Sequence, residues 1–334
     1  ARPVRQAGAM TSRRIALLVT LAVLVAAPYW LPGSYYVNIA TQILIYAVFA
    51  LAMDVLLGYG GLVSLGHAGI FGVAAYVVAW FVAAGTGHLF AVVAAIVITL
   101  LATAVYAVVA LRATGIGFLM ITLALGQILW GLAYRWISVT NGDNGLNVAS
   151  RPAPFGFSLA SSTGLYYATL VVFLLALGAM ALFVASPFGA SLRGTRDQSR
   201  RMNALGYHVW MIRFCACLFS GLLSAIAGIL FVYYNQFISP QALALTASAE
   251  VVLMVISGGA GTLLGPIVGA ALVVIMKNVA SAYIARWNFL LGAIFVLIVV
   301  FMPEGIVPGT VRLTRWLRGA MSGRPVAAVR EAGQ

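Results

Sequence analysis

The chain has 334 residues, of which 63% are hydrophobic and 7% are charged, and its formal net charge is +13. A soluble domain carries about 25% charged residues, so this composition excludes a soluble globular fold and predicts an all-α polytopic membrane protein. Outer-membrane barrels are also excluded, because their strands alternate apolar and polar residues, whereas the apolar stretches here are continuous and long. The basic excess indicates orientation in a lipid bilayer, and no nucleic-acid partner is predicted because the sequence holds no nucleic-acid-binding module.

About ten apolar segments are candidates to cross the bilayer, whose hydrocarbon core takes about 20 helical residues. In chain order they cover residues 14–32, 36–57, 62–84, 89–111, 115–137, 163–185, 214–234, 247–259, 263–283 and 288–303. The third segment is interrupted by Gly66, Gly69 and Gly72, and the eighth is short and continues into a glycine-rich stretch. We expect these two to be the broken or re-entrant elements, which membranes tolerate only where protein or a cavity surrounds them.

The distribution of basic residues predicts that both termini are cytoplasmic. If ten spans alternate from a cytoplasmic N-terminus, 15 of the 19 basic residues lie on the cytoplasmic side, as the positive-inside rule requires. The chain then divides into a cytoplasmic tail at 1–13, a transmembrane domain at 14–310 and a second cytoplasmic tail at 311–334. Residues 138–162 form an external loop, and residues 186–213 form the longest cytoplasmic loop.

The cytoplasmic loop at residues 186–213 is the longest polar interruption in the chain and holds five arginines. The Ser-Pro pair that opens it has the residue types of a helix N-cap and first turn. No Pro or Gly lies between about Thr195 and Leu205, and Gly206 can end a helix in a left-handed C-cap. We therefore predict a helix of about eleven residues and about 16 Å there.

This predicted helix is too short to be stable alone in water, so it needs a surface to lie on. Met202 and Leu205 form a small apolar face, and Arg196, Arg200 and Arg201 occupy much of the remainder. Two interpretations stay open: the helix docks onto a soluble partner protein, or the loop rests on lipid headgroups.

Polar side chains within the predicted spans are few, and each is costly in hydrocarbon. The candidates to line a pathway or to act as hinges are Gln42, Asp54, Gly66, His67, Gln127, Glu250, Gly258, Gly259 and Gly261. Asp54 and Glu250 can equally be boundary charges that reach water, since both lie near span ends. His67 can be a satisfied core histidine, while the glutamines and glycines can serve contacts between helices.

No enzymatic, nucleotide or metal site is predicted. The glycine-rich stretches lack the Gly-Lys-Ser/Thr ending of a phosphate-binding loop, and the sole lysine, Lys277, is followed by Asn278. Serines, histidines and carboxylates are too scattered to form a nucleophile–base–orienter set. Cys215 and Cys217 lie in an apolar stretch without neighbouring metal ligands. We therefore expect this chain itself to bind no cofactor.

Five stretches resemble the LivM-type membrane subunits of branched-chain amino acid ABC importers. In chain order they are GYGGLVSLGHAGIFGVAAY (58–76), LRATGIGFLMITLALGQI (111–128), TNGDNGL (140–146), SPFGASLRGTRDQSRRMNALGY (186–207) and SPQALALTASAEVVLMVISGGAGTLLGPIVGAA (239–271). The resemblance covers most of residues 36–310. It implies a permease subunit of an ATP-driven importer in the bacterial inner membrane. Such a subunit forms the pathway for branched-chain amino acids, or a related small solute, by alternating access.

The resemblance also implies partners. A second, related permease subunit pairs with this chain, two cytoplasmic ATP-binding cassette ATPases bind ATP and Mg, and an extracytoplasmic substrate-binding protein delivers the solute. In such subunits the long cytoplasmic loop carries the coupling helix that contacts the ATPases, which assigns that role to residues 195–206. Related permeases also serve urea, short-chain amides or aromatic acids, so the solute stays open.

Two functions of other classes remain as alternatives. An ion-coupled secondary transporter or channel usually carries intramembrane carboxylates or a polar filter, and here Asp54 and Glu250 are the candidates. A structural membrane scaffold is the other alternative. Dependence of transport on ATP rather than on an ion gradient distinguishes an ABC importer from a secondary transporter.

Overall fold

The computed structural model describes residues 24–30, 33–148, 151–152, 159, 161–283, 292–293, 296–297, 300 and 305–310. Within these ranges the chain is almost entirely helical, which confirms the predicted all-α fold. Most of the predicted first and last spans, at 14–32 and 288–303, lies outside the described residues, as do the two predicted cytoplasmic tails.

The helices are α1 (Ser34–Asp54), α2 (His67–Ala83), α3 (His88–Ala110), α4 (Ile116–Arg135), α5 (Ile137–Thr140), α6 (Ser162–Ala185), α7 (Pro187–Ala204), α8 (Val209–Asn235), α9 (Leu245–Gly258) and α10 (Gly265–Tyr283). A π-helical turn (Val55–Tyr59) continues α1, and 3-10 turns (Gly142–Asn144 and Pro240–Leu243) precede β1 and α9. Strand β1 (Leu146–Asn147) pairs antiparallel with β2 (Phe237–Ile238).

Five of the described helices are long and apolar enough to cross a membrane: α1 with its π turn, α3, α4, α6 and α8. The third and eighth predicted spans are instead short helices. Of the three glycines named in the third span, Gly66 precedes α2, whereas Gly69 and Gly72 lie inside it and do not interrupt it. Helix α2 begins only at His67 and has 17 residues, because residues 61–66 are not helical. Helix α9 has 14 residues and ends at Gly258.

Helices α1 and α8 form the centre of the bundle. Most of their residues are buried, whereas only about a quarter of the residues of α3, α4 and α6 are. Phe71 of α2 joins the two central helices, because its ring lies 4.4 Å from that of Phe49 on α1 and 5.1 Å from that of Phe231 on α8. The core is therefore a continuous apolar contact between three helices, and the outlying helices present apolar faces to their surroundings.

The connections between helices gather at two ends of the bundle. At one, which we call the sheet end, β1 pairs with β2. Arg151 also lies there and donates hydrogen bonds to the carbonyls of Tyr233 and Tyr234, both at 3.0 Å. At the other, the α7 end, helix α7 contacts the π-helical turn that follows α1. The 27 residues of α8 run from the α7 end to the sheet end, a distance of about 40 Å.

The predicted start of the helix in the 186–213 loop is wrong. Helix α7 begins at Pro187 rather than near Thr195, with Ser186 as N-cap, and the Ser186 hydroxyl accepts from the N–H of Gly189 at 3.2 Å. A Cβ added to Gly189 would lie 2.4 Å from the carbonyl oxygen of Phe183. Glycine therefore serves here for a close approach to α6 and does not interrupt the helix.

The predicted end of the same loop is also wrong. Helix α8 begins at Val209, so Arg213 lies inside a helix and not in a loop. The Arg213 guanidinium donates to the carbonyl of Thr195 at 3.2 Å and to the hydroxyl of Ser199 at 2.8 Å. Arg213 is compatible with the helix because α7 supplies its hydrogen-bond acceptors.

Candidate functional site

Helix α7 is bent, and the bend turns Met202 back toward the helix while Leu205 stays exposed. Gln198 has φ −148° and ψ 85°, which is not helical. The turn that follows brings Met202 back against Gly194, where an added Cβ would lie 2.8 Å from the Met202 sulfur. Met202, one of the two residues of the predicted apolar docking face, thus packs within α7, while the other, Leu205, remains 64% exposed.

The predicted C-cap at Gly206 is confirmed. Gly206 has φ +88°, and its N–H donates to the carbonyl of Asn203 at 3.0 Å. The N–H of Tyr207 donates to the carbonyl of Met202 at 3.1 Å, which completes the Schellman pattern of a helix end. A cavity of about 390 Å³ adjoins this end of the helix, next to Trp210.

The predicted docking residues of α7 divide into exposed and buried groups. Arg196, Arg200 and Arg201 are exposed. Thr195 is buried and donates to the carbonyl of Leu192 at 2.8 Å, so it faces the interior of this chain.

Arg196 connects α7 to the end of α1. Its guanidinium donates to the carbonyl of Gly58, in the π-helical turn. Beside it, the buried Asp54 accepts from the N–H of Gly261 at 2.8 Å, in the loop between α9 and α10. We call these four residues, Asp54, Gly58, Arg196 and Gly261, the α7 junction. It joins three segments that are distant in the sequence.

The α7 junction has no spare volume. A Cβ added to Gly58 would lie 2.0 Å from a carboxylate oxygen of Asp54 and 2.2 Å from the backbone nitrogen of Gly261. Gly261 has φ +77°, a backbone conformation that favours glycine. The sequence singled out Gly261 as a candidate but not Gly58, and it did not indicate that the two are in contact.

The glycines on either side of the same loop hold α9 against α10. A Cβ on Gly258 would lie 1.8 Å from the carbonyl oxygen of Gly265, and one on Gly269 would lie 1.7 Å from that of Met254. Gly259, with φ +120°, ends α9. These distances agree with the interpretation that the glycines serve close packing of helices.

Gly66 and His67 lie at the start of α2, away from the α7 junction. A Cβ on Gly66 would lie 2.1 Å from the carbonyl oxygen of Thr122 on α4. The buried His67 has its Nε2 atom 3.0 Å from the Ser220 hydroxyl and 2.8 Å from the Ser224 hydroxyl. The Nε2 atom of His67 therefore fits the interpretation of a satisfied core histidine, whereas its buried Nδ1 atom has no hydrogen-bond partner among the described residues. The two serines were missed, although their spacing of four residues places them on one face of α8.

Glu250 faces a second feature, a cavity of about 420 Å³ near β2 that we call the polar cavity. The Lys277 ammonium lies 3.3 and 3.2 Å from the two carboxylate oxygens of Glu250. Other residues that line the polar cavity include Tyr46, Phe231, Phe237, Gln241, Thr246 and Ala247. The cavity therefore combines one ion pair with aromatic walls.

Gln42 and Gln127 lie in different surroundings. Asn278, next to Lys277 on α10, donates to the side-chain carbonyl of Gln42 at 3.0 Å and so ties α10 to α1. Gln127 lines a neighbouring cavity of about 330 Å³, which shares Gln241 with the polar cavity. The predicted pathway residues thus fall into three groups, at the α7 junction, in the core around His67 and around the polar cavity.

Long apolar helices with polar groups buried between them define a multi-pass membrane protein. The family described as "Branched-chain amino acid transport system / permease component" matches residues 35–299, and the chain belongs to this family. It is therefore a permease component of an ABC transport system and not an enzyme. In such systems the ATPase activity resides on partner subunits, as the sequence resemblance implied.

Curated relatives agree with this family. The high-affinity branched-chain amino acid transport permease LivM of Salmonella typhimurium is 26% identical over 331 residues, covering 91% of this chain and 77% of that protein. LivM of Escherichia coli is 26% identical over 343 residues, covering 95% and 80%. The autoinducer 2 import permease LsrC of Yersinia enterocolitica is 32% identical over 175 residues, covering 50% and 46%. No solved structure matches the chain.

Proposed function

We propose that this chain is one of two permease subunits of an ATP-driven importer for branched-chain amino acids in a bacterial inner membrane. The observation that carries the proposal is the contact between α7 and the core at the α7 junction. A cytoplasmic helix that receives motion from an ATPase must be joined to the spans it moves. The matched family and the LivM relatives are described as branched-chain amino acid permeases, which supports this solute class.

In this proposal residues 195–206 of α7 and its C-cap form the coupling helix. The bond from Arg196 to Gly58 and the bond from Gly261 to Asp54 connect α7 with α1 and with the loop that follows α9. Packed interiors transmit displacement because they have few voids to absorb it. The 14 residues of α9 span about 21 Å and carry Glu250 at the polar cavity. A shift of α7 therefore reaches the cavity, as alternating access requires.

The proposed orientation places the α7 end in the cytoplasm and the sheet end outside. The arginines of α7 support it, together with the count of 15 among 19 basic residues on the cytoplasmic side. With the segments outside the described residues, the permease domain at 14–310 then has about ten spans and both termini in the cytoplasm. The external loop at 138–162 contains β1 and lies where a substrate-binding protein would dock.

Three kinds of partner complete the proposed transporter: a second, homologous permease, two ATPases that bind ATP and Mg, and the external substrate-binding protein. Membership of an ABC transport family supports such partners in general. On this chain the exposed Leu205, Arg200 and Arg201 supply the surface for an ATPase. Exposed ion pairs contribute only about 0–1 kcal/mol each, so Leu205 matters more to docking than either arginine.

Uptake of radiolabelled L-leucine by proteoliposomes with the complete complex tests the function. We expect uptake only with ATP on the cytoplasmic side and no effect of an ionophore. Uptake that persists without ATP and collapses with the ionophore would identify an ion-coupled secondary transporter instead.

Cysteine labelling tests the orientation. In a background with Cys215→Ser and Cys217→Ala, the substitution Arg200→Cys places a single thiol on the exposed surface of α7. A membrane-impermeant maleimide should label it only after the membrane has been opened. Labelling in intact cells would place α7 outside and overturn the proposed topology.

A further inference from the structure

We infer that the polar cavity is the solute site of this permease and that it selects a zwitterionic α-amino acid over carboxylic acids and neutral amides. This inference rests on the proposed function and deepens it by naming the charge pattern that the solute must carry. It also separates amino acids from the urea-like, amide and aromatic-acid solutes that the sequence resemblance left open.

The first support is access to both charges of the ion pair. Glu250 and Lys277 lie 3.2 Å apart, and their side chains are 20% and 36% exposed. A solute in the cavity can therefore contact the carboxylate and the ammonium at once. The volume of about 420 Å³ is within the range of about 300–1,000 Å³ that small-molecule sites occupy.

The second support is charge balance. An α-amino acid can insert between the two side chains, with its carboxylate on Lys277 and its ammonium on Glu250. One ion pair is then replaced by two, and neither side chain loses an oppositely charged partner. The four charges alternate in sign, so each one has an attractive neighbour.

Other solute classes cannot satisfy both side chains. A carboxylic acid would pair with Lys277 and leave the Glu250 carboxylate without its cation. A neutral amide would separate the pair without supplying a charge to either member. Leaving one member of a partly exposed ion pair unpaired is unfavourable, although it costs less than in a fully buried pair. The ion pair therefore discriminates between solutes in two ways: it forms new ion pairs with an amino acid, and it loses its own ion pair without replacement when another solute binds.

The third support is the wall of the cavity. The rings of Tyr46 and Phe231 lie 6.3 Å apart at an angle of 79°, and Phe237 and Ala247 add further apolar surface. Among the described residues that line the cavity, only Glu250 and Lys277 carry a charge. Asn235, Ser239, Gln241 and Thr246 make most of the rest of the lining polar. A solute side chain placed against the patch of Tyr46, Phe231, Phe237 and Ala247 meets apolar atoms, so an aliphatic side chain fits that patch better than a charged one.

Direct binding of radiolabelled L-leucine to the purified complex, without the substrate-binding protein, tests the inference apart from the specificity of that protein. The wild-type complex is challenged with L-valine, with 4-methylvalerate, which lacks the ammonium, and with 4-methylvaleramide, which carries no charge. We expect L-valine to displace L-leucine and the other two to displace it at least about tenfold more weakly, as loss of one charge-assisted bond implies.

A neutral double variant, Glu250→Gln with Lys277→Gln, provides the second arm. We expect its dissociation constant for L-leucine to rise about tenfold or more, with an unchanged elution volume in gel filtration. The matched control is Arg135→Gln, which removes an exposed charge at the sheet end of α4 outside the cavity and should leave leucine binding unchanged.

The inference is overturned by any of three results: wild type that binds no L-leucine, displacement by 4-methylvaleramide or 4-methylvalerate as strong as by L-valine, or unchanged leucine affinity in the folded double variant. Each differs from failure of the proposed function, which appears as absence of ATP-driven leucine uptake by the complete wild-type transporter. Because the competitor series uses wild type, it decides the question even where a variant does not fold.

Discussion

The α7 junction and the polar cavity each centre on one carboxylate inside the bundle, and the two carboxylates are held in opposite ways. Asp54 is buried and accepts from a backbone N–H, with no room for a methyl group at Gly58. Glu250 is partly exposed, accepts from the flexible ammonium of Lys277 and faces about 420 Å³ of open space. The first arrangement fixes backbone segments to each other, while the second can exchange its partner.

This difference suits the two ends of the bundle to different functions, transmission of force at the α7 junction and solute binding at the polar cavity. A carboxylate bonded to a glycine backbone cannot move without moving the chain, so Asp54 suits the transmission of force. A carboxylate bonded to a lysine can rotate toward a solute, because only side-chain torsions change. Helix α9 joins the two, since Glu250 lies in it and Gly261 follows it within three residues of its end.

The largest effect is expected from one added methyl group at the α7 junction. Gly58→Ala would place a Cβ 2.0 Å from an oxygen of Asp54 and 2.2 Å from the nitrogen of Gly261. Backbone must then shift and the bond between Asp54 and Gly261 is lost, at a combined cost of about 2–6 kcal/mol. We expect little monodisperse protein in detergent and no uptake.

Two matched variants show whether the low yield expected for Gly58→Ala comes from added volume in general or from its position at the α7 junction. Gly178→Ala lies in α6, where an added Cβ meets nothing within 4 Å, and should leave the yield unchanged. Ala247→Val adds volume at the polar cavity and should also fold. A normal yield of Gly58→Ala would show that the α7 junction is not more tightly packed than the polar cavity.

The second effect concerns docking rather than folding. Leu205→Asp places a charge on a side chain that is 64% exposed, so the chain should fold normally. Loss of an apolar anchor in an interface should reduce ATP-driven uptake roughly tenfold or more. Leucine binding at the polar cavity should be unchanged. The measurement is uptake at equal amounts of assembled protein.

Leu205→Met is the control for that experiment, because it keeps an apolar side chain of similar size and should retain most uptake. Normal ATP-driven uptake by Leu205→Asp would show that this end of α7 does not dock onto the ATPase. Reduced leucine binding by the same variant would instead show that the docking surface of α7 and the polar cavity do not act independently.

The third effect compares the two carboxylates directly. Asp54→Ala leaves the N–H of Gly261 without its acceptor and should lower the free energy of unfolding by about 1–3 kcal/mol. Asp54→Asn should lose less, since its amide oxygen can still accept that bond. We expect the thermal midpoint in detergent to follow the order wild type, Asn, Ala. Equal midpoints for Asn and Ala would show that the hydrogen bond does not stabilise the junction.

The smallest effect is expected at the sheet end. Arg151→Gln removes hydrogen bonds to the carbonyls of Tyr233 and Tyr234, which water can replace at that end. The expected loss of stability is about 1 kcal/mol, and leucine uptake should be nearly normal. A loss of uptake as large as that of Leu205→Asp would show that the sheet end also takes part in coupling.

The sequence predicted local features of the α7 segment well. The N-cap at Ser186 and the C-cap at Gly206 follow from residue type, since each needs only its near neighbours. The start of the helix was missed because the prediction confined the helix to a stretch without Pro or Gly, which excluded Gly189 and Gly194. Each is instead required by a contact, Gly189 with α6 and Gly194 with Met202.

The pairings of the candidate site could not be predicted in the same way. Glu250 and Lys277 are 27 residues apart, and Asn278 and Gln42 are 236 apart. Such pairs depend on how helices pack, and no local pattern specifies that. The serines that contact His67 had a visible signal in their four-residue spacing, but nothing in the sequence indicated which helix would face them. Composition and periodicity therefore defined the elements, while tertiary packing decided the partners.

The bond between Asp54 and Gly261 has a consequence for biosynthesis. A ribosome adds residues from the N-terminus, so Asp54 enters the membrane while its partner, 207 residues further on, has yet to be made. During that interval α1 carries a carboxylate whose hydrogen-bond donor, the N–H of Gly261, has not yet been made. Final assembly of this permease must therefore wait until α9 and the following loop have been inserted, and α1 needs a temporary polar environment until then.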